Sequence, residues 1–280
     1  YYETVPAAYY VKFMPFLVKV GAEGLETSVP FYFPGGFQSV YEALAAELQT
    51  SPNAAVRLNA EVKRLHRFNC REHDGYGCSA NVVISLNRKE KYYFDDVVIT
   101  VPLNKVPEFV DVTGWERWLF EQLETNRYFV TVFSAAGIPT DESLYFYDNA
   151  FPDALNQVGV WSSLSDPIGI FRGRGYQTVD ETITPRGVVR VLTDEVTDQG
   201  GLFERVLLQK QWPAYFPHVA PFLVKAGYYD AVEALQGKRH IYYTGSSLTF
   251  ETTEHVARHA RDLILKHFSG NGCDTDDPCR

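Results

Sequence analysis

The sequence predicts an α/β (α+β) protein in which a β-rich unit interrupts a unit of mixed strands and helices. Three observations carry this. Asp95-Asp96-Val97-Val98-Ile99-Thr100-Val101-Pro102 is a continuous apolar run behind acidic residues, as in a strand buried on both faces. From Tyr128 to Trp212 the pattern is strand-like and punctuated by Gly, Pro and Asp. His240-Ile241-Tyr242-Tyr243-Thr244-Gly245 then reads as a strand reaching a glycine, with a helix soon after. Helices flank the β-rich stretch on both sides in sequence, so an inserted sheet is the simplest arrangement.

The elements follow in order. Residues 1–30 are aromatic and apolar without clear periodicity. Phe33-Pro34-Gly35-Gly36-Phe37 is a turn, after which Ser39 is expected to cap a helix over 40–49. Val40, Leu44, Ala45 and Leu48 share one face of that helix. Val56–Leu58 and Val62–His66 read as short strands, and Val82–Leu86 with Tyr92–Phe94 as a hairpin. Trp115–Leu123 reads as a helix. Tyr128–Ser134, Leu144–Tyr147, Val158–Ser162 and Val188–Val191 read as strands, and Phe171–Gly175 as a hairpin loop. Gly227–Leu235 is expected to be helical. A final helix from Thr252 to Phe268 is expected to bury Val256, Ala260, Leu263, Ile264 and His267. The Asp-rich end, 269–280, reads as disordered.

Charge and composition narrow the function classes. The formal net charge is −9 and no basic cluster is present, which argues against nucleic-acid binding. No apolar stretch reaches the length of a membrane span. The 18 Tyr and 19 Phe suit an aromatic-lined pocket or a β-rich core equally. Cys70, Cys78, Cys273 and Cys279 all lie outside the apparent core, a placement that favours disulfides and secretion. His66, Cys70, His73 and Cys78 match no standard zinc spacing, so no metal is expected. Tyr1 rather than Met at the start points to a processed or truncated chain.

The chemistry-bearing unit is the strand, glycine, short loop and helix N-terminus over 240–253. A glycine lets a ligand approach the backbone, and the free N–H groups of a helix start favour negative charge. A plain β–loop–helix connection has the same appearance. Elsewhere G-x-G-x-x-G, G-x-x-x-x-G-K-[ST] and G-x-S-x-G are all absent. His255 and His259 lack the Glu that H-E-x-x-H requires. Gln211 to Val219 is an aromatic, proline-stiffened segment that suits either a pocket wall or a packed crossover.

Together these segments resemble a known family. Tyr32-Phe33-Pro34-Gly35-Gly36-Phe37-Gln38-Ser39, Val56–Val62 and Asp95–Pro102 are similar to the middle of flavin-containing amine oxidase-like proteins. Trp212, Tyr215–Val219, Gly227–Asp230, Leu235–Arg239, Tyr242–Gly245 and Phe250-Glu251 resemble the branch of polyenoic fatty acid isomerases and cyclopiazonate dehydrogenase-like proteins. The resemblance spans about residues 30–268. It implies FAD in a Rossmann-like domain formed by 31–104 and 225–268, with a mixed or antiparallel sheet substrate domain over 105–224. Residues 1–30 would be a substrate-domain or linking segment. On the cofactor side it implies Val62 near the adenine and Thr100, Val101 and Pro102 at a second backbone crossing. Gly245 and Ser246 would lie near the ribityl and pyrophosphate, and Thr252 and Thr253 at the flavin pyrimidine edge. Trp212, Tyr215, Phe216 and Phe250 would line the substrate pocket.

Three departures qualify the expectation. The opening G-x-G-x-x-G and its ribose-binding acid are absent, so a further N-terminal segment or companion chain is expected to complete the FAD site. Ser246 stands where relatives often carry Glu or Asp. The strand after Arg127 has no Lys, unlike many amine oxidases. The expected function is therefore flavin-dependent hydride transfer on an apolar substrate, as an oxidoreductase or isomerase. An amine or amino-acid oxidase, or a degenerate non-enzymatic binding module of the same fold, is the alternative.

Overall fold

A computed structural model describes residues 36–67, 82–86, 90–137, 145–146, 157–163, 171–178, 181–249 and 251–269. All four cysteines, His73 and Phe250 lie outside these residues, as do residues 1–30 and, of the end expected to be disordered, residues 270–280.

Among the described residues the architecture is α/β with three sheets. Among these residues helix α1, Gln38–Thr50, comes first. Strands β1, Val62–Arg67, β2, Val82–Leu86, and β3, Glu90–Phe94, form an antiparallel meander. Strand β4, Val97–Ile99, pairs in parallel with β10, Ile241–Tyr243. Helix α2, Gly114–Glu121, leads into the large antiparallel sheet. That sheet contains β5, Glu124–Ala136, β6, Tyr145–Phe146, β7, Gln157–Ser163, β8, Phe171–Thr178, and β9, Leu202–His218. Its order is β6-β7-β8-β5-β9. Helix α3, Pro185–Asp198, packs on it. Two short helices, α4, Pro221–Lys225, and α5, Tyr228–Glu233, return the chain to β10, and α6, Thr253–His267, closes the fold.

Two cores hold these layers. The larger joins Leu65, Ile99, Leu103, Val106, Leu119, Phe120 and Ile241, so it binds the meander, the parallel pair and α2. The smaller places Val188, Leu192 and Val196 of α3 against Phe129 and Phe133 of β5. Burial of each such side chain contributes about 1.5–3 kcal/mol.

Several expectations are corrected. Ser39 does not cap α1; Phe37 is the N-cap, and the Ser39 hydroxyl donates to Gly36 O at 2.7 Å. The apolar face of α1 is uncovered, with Val40, Leu44 and Leu48 exposed. Val56–Leu58 forms no strand and Leu58 projects into solvent. The apolar run at 95–102 yields a strand of three residues whose Val98 is 38% exposed, so it is not buried on both faces. Val188–Val191 is helical. Thr184 caps the helix and Pro185 occupies its first turn, and this start signal outweighs the β preference of the valines. Phe171–Gly175 lies inside β8, where Gly175 makes room for the Tyr128 hydroxyl; a Cβ there would sit 2.5 Å from it. Gln211–Val219 is largely the end of the 17-residue edge strand β9, the position in a sheet that tolerates Pro213 and Pro217. In α6 only Leu263 is buried and Ile264 is exposed.

The parallel pair has two unlike edges. On β10 the Tyr243 N–H donates to Gln236 Oε1 and Tyr243 O accepts from Gln236 Nε2, both at 2.8 Å. Ile241 O accepts from Gly237 N–H at 2.9 Å. That edge is closed by the chain itself. Ile99 faces β10, with Ile99 O accepting from Thr244 N–H at 3.0 Å. Alternation therefore turns the backbone of Val98 to the other side, where no described residue pairs with it.

Candidate functional site

The ends of β4 and β10 meet at Gly245. Its φ is +112°, a conformation that side chains disfavour. A Cβ placed there would lie 2.8 Å from Thr100 O. Two further bonds fix the crossing: Thr244 N–H to Ile99 O, and Leu103 N–H to Ser247 Oγ at 3.2 Å. Thr100, Val101, Pro102, Gly245 and Ser246 are thereby brought together.

The loop ends at α6. Thr252 is its N-cap, and its Oγ1 accepts from His255 N–H. The amides of Thr253 and Glu254, in the first turn, have no intrahelical acceptor and lie at the positive end of the helix dipole. His259 Nδ1 and Thr244 Oγ1 are hydrogen-bonded at 2.8 Å, which ties the second turn of α6 to the end of β10.

Aromatic side chains gather on the large sheet. Tyr128 of β5 stacks on Tyr215 of β9 with centroids 4.5 Å apart, and Trp212 stands 6.0 Å from Tyr128. Phe216 is buried with φ +50°, a strained state for a bulky residue that sites tend to concentrate. His218 is buried, its Nδ1 bonded to Phe216 O at 2.8 Å and its Nε2 3.8 Å from Glu124. Val62 lies apart, on β1 of the meander.

Two residues were missed in the sequence reading. Glu251 precedes the α6 cap; burial pushes its carboxyl up to about 7, against a hydrogen bond from Tyr215 that pulls it down. Its Oε1 is buried and has no partner among the described residues. Asn126 pairs with Tyr215 across β5 and β9, is fully buried, and has neither amide atom bonded among the described residues. Phe250-Glu251 was legible as a family signature, but burial of a carboxylate depends on the distant β9. Asn126 had no sequence signal.

The raised value of Glu251 has a consequence for stability. A carboxyl that ionises at higher pH when folded favours the fold below its unfolded value, about 4.3, and that contribution is lost as pH rises through about 7. Glu251→Gln is expected to remove this loss. After allowance for residual solvent screening, the variant should be about 1–2 kcal/mol less sensitive to a change from pH 5 to pH 8, read by urea unfolding at both.

The fold has counterparts among known proteins. A family model described as flavin containing amine oxidoreductase matches residues 12–137. The CLA-producing fatty acid isomerase from P. acnes is 26% identical, with a TM-score of 0.77 over 96% of this chain and 60% of its own. A candidate protoporphyrinogen oxidase from Exiguobacterium sp. 255-15 is 14% identical, with a TM-score of 0.63 over 94% of this chain and 60% of its own. Wild-type putrescine oxidase bound to putrescine is 15% identical, with a TM-score of 0.55 over 82% of this chain and 53% of its own. The last two likenesses concern the fold alone. The chain spans about 60% of the length of the isomerase. No curated protein matches significantly. With the family match on residues 12–137 and the isomerase likeness across nearly all its length, the chain is similar to flavin-containing amine oxidoreductases.

Proposed function

We propose that this chain is the larger part of an FAD-dependent oxidoreductase or isomerase that moves hydride between an apolar substrate and flavin. The observation that carries the reading is the crossing at Gly245. A backbone that leaves no room for a Cβ runs directly into a capped helix N-terminus, and the residues present fit an extended anionic cofactor. Thr100–Pro102, Gly245 and Ser246 would hold its middle, and Thr252 and Thr253 at the start of α6 would face the flavin pyrimidine edge. Val62 would meet the adenine from the meander. Bound FAD would supply the hydride acceptor. The chain's own residues would orient the substrate against Tyr128, Trp212, Tyr215 and Phe216, and exclude water from it.

The open edge of β4 supports a second part of the reading. Parallel strands are normally covered on both faces and extended by further strands. Among the described residues the edge of the pair left unclosed is at Val98, and Val98 and Val101 are exposed beside it. We infer that a segment carrying the phosphate-binding loop pairs there, from the same polypeptide or a companion.

The likeness to the isomerase favours an unsaturated fatty acid as substrate. The family description favours an amine. Anaerobic addition of each class to the flavin-loaded protein separates them. Bleaching of the flavin, or a shifted double bond in the product, is expected with the fatty acid and not with amines. Bleaching by amines alone would replace this reading with amine oxidation, and no response to any substrate would favour a binding module.

A further inference from the structure

Glu251 and Tyr215 connect two regions that the fold assembles from distant sequence. Glu251 belongs to the loop between Gly245 and the α6 cap. Tyr215 belongs to the aromatic wall, where it stacks on Tyr128 at 4.5 Å. The Tyr215 hydroxyl donates to the Glu251 carboxyl. This bond links the cofactor-side loop to the substrate-side wall by side chains, and Asn126 lies buried on β5 in register with Tyr215.

The groups around the pair are otherwise engaged. Glu254 is bonded to Arg258 at 2.6 Å, and His255 Nδ1 to Thr252 Oγ1. On β9, His218 is turned to Phe216 O and Glu124. Thr249 Oγ1 donates to Gly245 O at 3.3 Å. Tyr215 is the group whose hydrogen bond perturbs Glu251, and among the described residues Oε1 stays buried and unmatched. An unmet buried oxygen costs about 1–3 kcal/mol, so its retention calls for a role.

We propose that Glu251 is a positioning residue: with Tyr215 it couples the Gly245–α6 loop to the aromatic wall, and its open oxygen anchors a hydrogen-bonding group of the molecule held between them. The placement of that molecule rests on the flavin reading; the coupling does not. Because the carboxyl ionises near neutrality, the anchor accepts a hydrogen bond when charged and offers one when protonated. Tyr215 follows, since its hydroxyl donates fully only to the charged form. The ring orientation over Tyr128 is thereby tied to the state of the loop.

The test uses the 280-residue chain without cofactor, so its failure and that of the flavin reading are distinct. Near-ultraviolet circular dichroism is followed from pH 5 to pH 9 in the parent, Glu251→Gln and Tyr215→Phe, with amide exchange of residues 245–249 and 212–218 at pH 8. The parent is expected to give one aromatic transition near pH 7, absent from both variants. Each variant is expected to raise exchange several-fold in both segments. A transition that survives in either variant, no transition in the parent, or exchange altered in one segment only would overturn the coupling.

Discussion

Replacing Arg67 with alanine is expected to destabilise the protein by about 3–5 kcal/mol, the cost of removing one partner from a buried ion pair. The Arg67 side chain is wholly buried. Its guanidinium donates to Glu116 Oε1 at 2.6 Å, Glu116 Oε2 at 3.0 Å and Asp111 Oδ1 at 2.8 Å. The backbone of Asp111 also accepts from it. Arg239 closes the far side, 3.5 Å from Asp111 Oδ2 and 3.2 Å from Arg67 O. The cluster joins β1 to α2 and to the segment entering β10, so its loss would loosen the frame that places Gly245. Burial alone would push the Glu116 carboxyl up, but hydrogen bonds from Arg67 and Thr113 outweigh it and hold the carboxyl below its usual range. A depressed carboxylate contributes stability above its unfolded value, about 4.3, and that contribution is lost as pH falls through the folded value. The difference between parent and Arg67→Ala should therefore shrink below about pH 4. Urea unfolding at pH 7 and pH 3.5 checks both; a loss under about 1 kcal/mol at pH 7 would show that the cluster is solvated rather than buried.

Gly245→Ala is the second large expectation. The new methyl group would stand 2.8 Å from Thr100 O, a backbone atom that cannot rotate aside, and φ +112° is itself unfavourable for alanine. Strain and overpacking together cost about 2–4 kcal/mol. The same methyl group would push β4 and β10 apart where the cofactor is proposed to lie. Flavin content is therefore expected to fall with stability, whereas Ser246→Ala should leave the fold intact. Thermal unfolding and flavin-to-protein ratio on both variants distinguish the outcomes, and normal flavin content in Gly245→Ala would remove the crossing from the site.

What the sequence revealed depended on how local each signal was. The unit from His240 to Phe268 was legible because strand, glycine and cap are contiguous, and the hairpin of β2 and β3 because its alternation is short-range. The helix over Pro185–Asp198 was not read, since its valines carry β preference while its burial against Phe129 and Phe133 is a tertiary fact. The face of α1 was read as amphipathic, and the periodicity was real, but periodicity does not say what covers it. Within the candidate site, Gly245 and Thr252 announced themselves by position. Glu251 and Asn126 did not, because each derives its meaning from Tyr215, 36 residues from one and 89 from the other along the chain.

The visible spectrum of the protein isolated from its source tests the central claim most directly. Bound oxidised flavin is expected to give absorbance near ~450 nm at about one flavin per chain, released as FAD on denaturation. A colourless protein that takes up no added FAD would contradict the account.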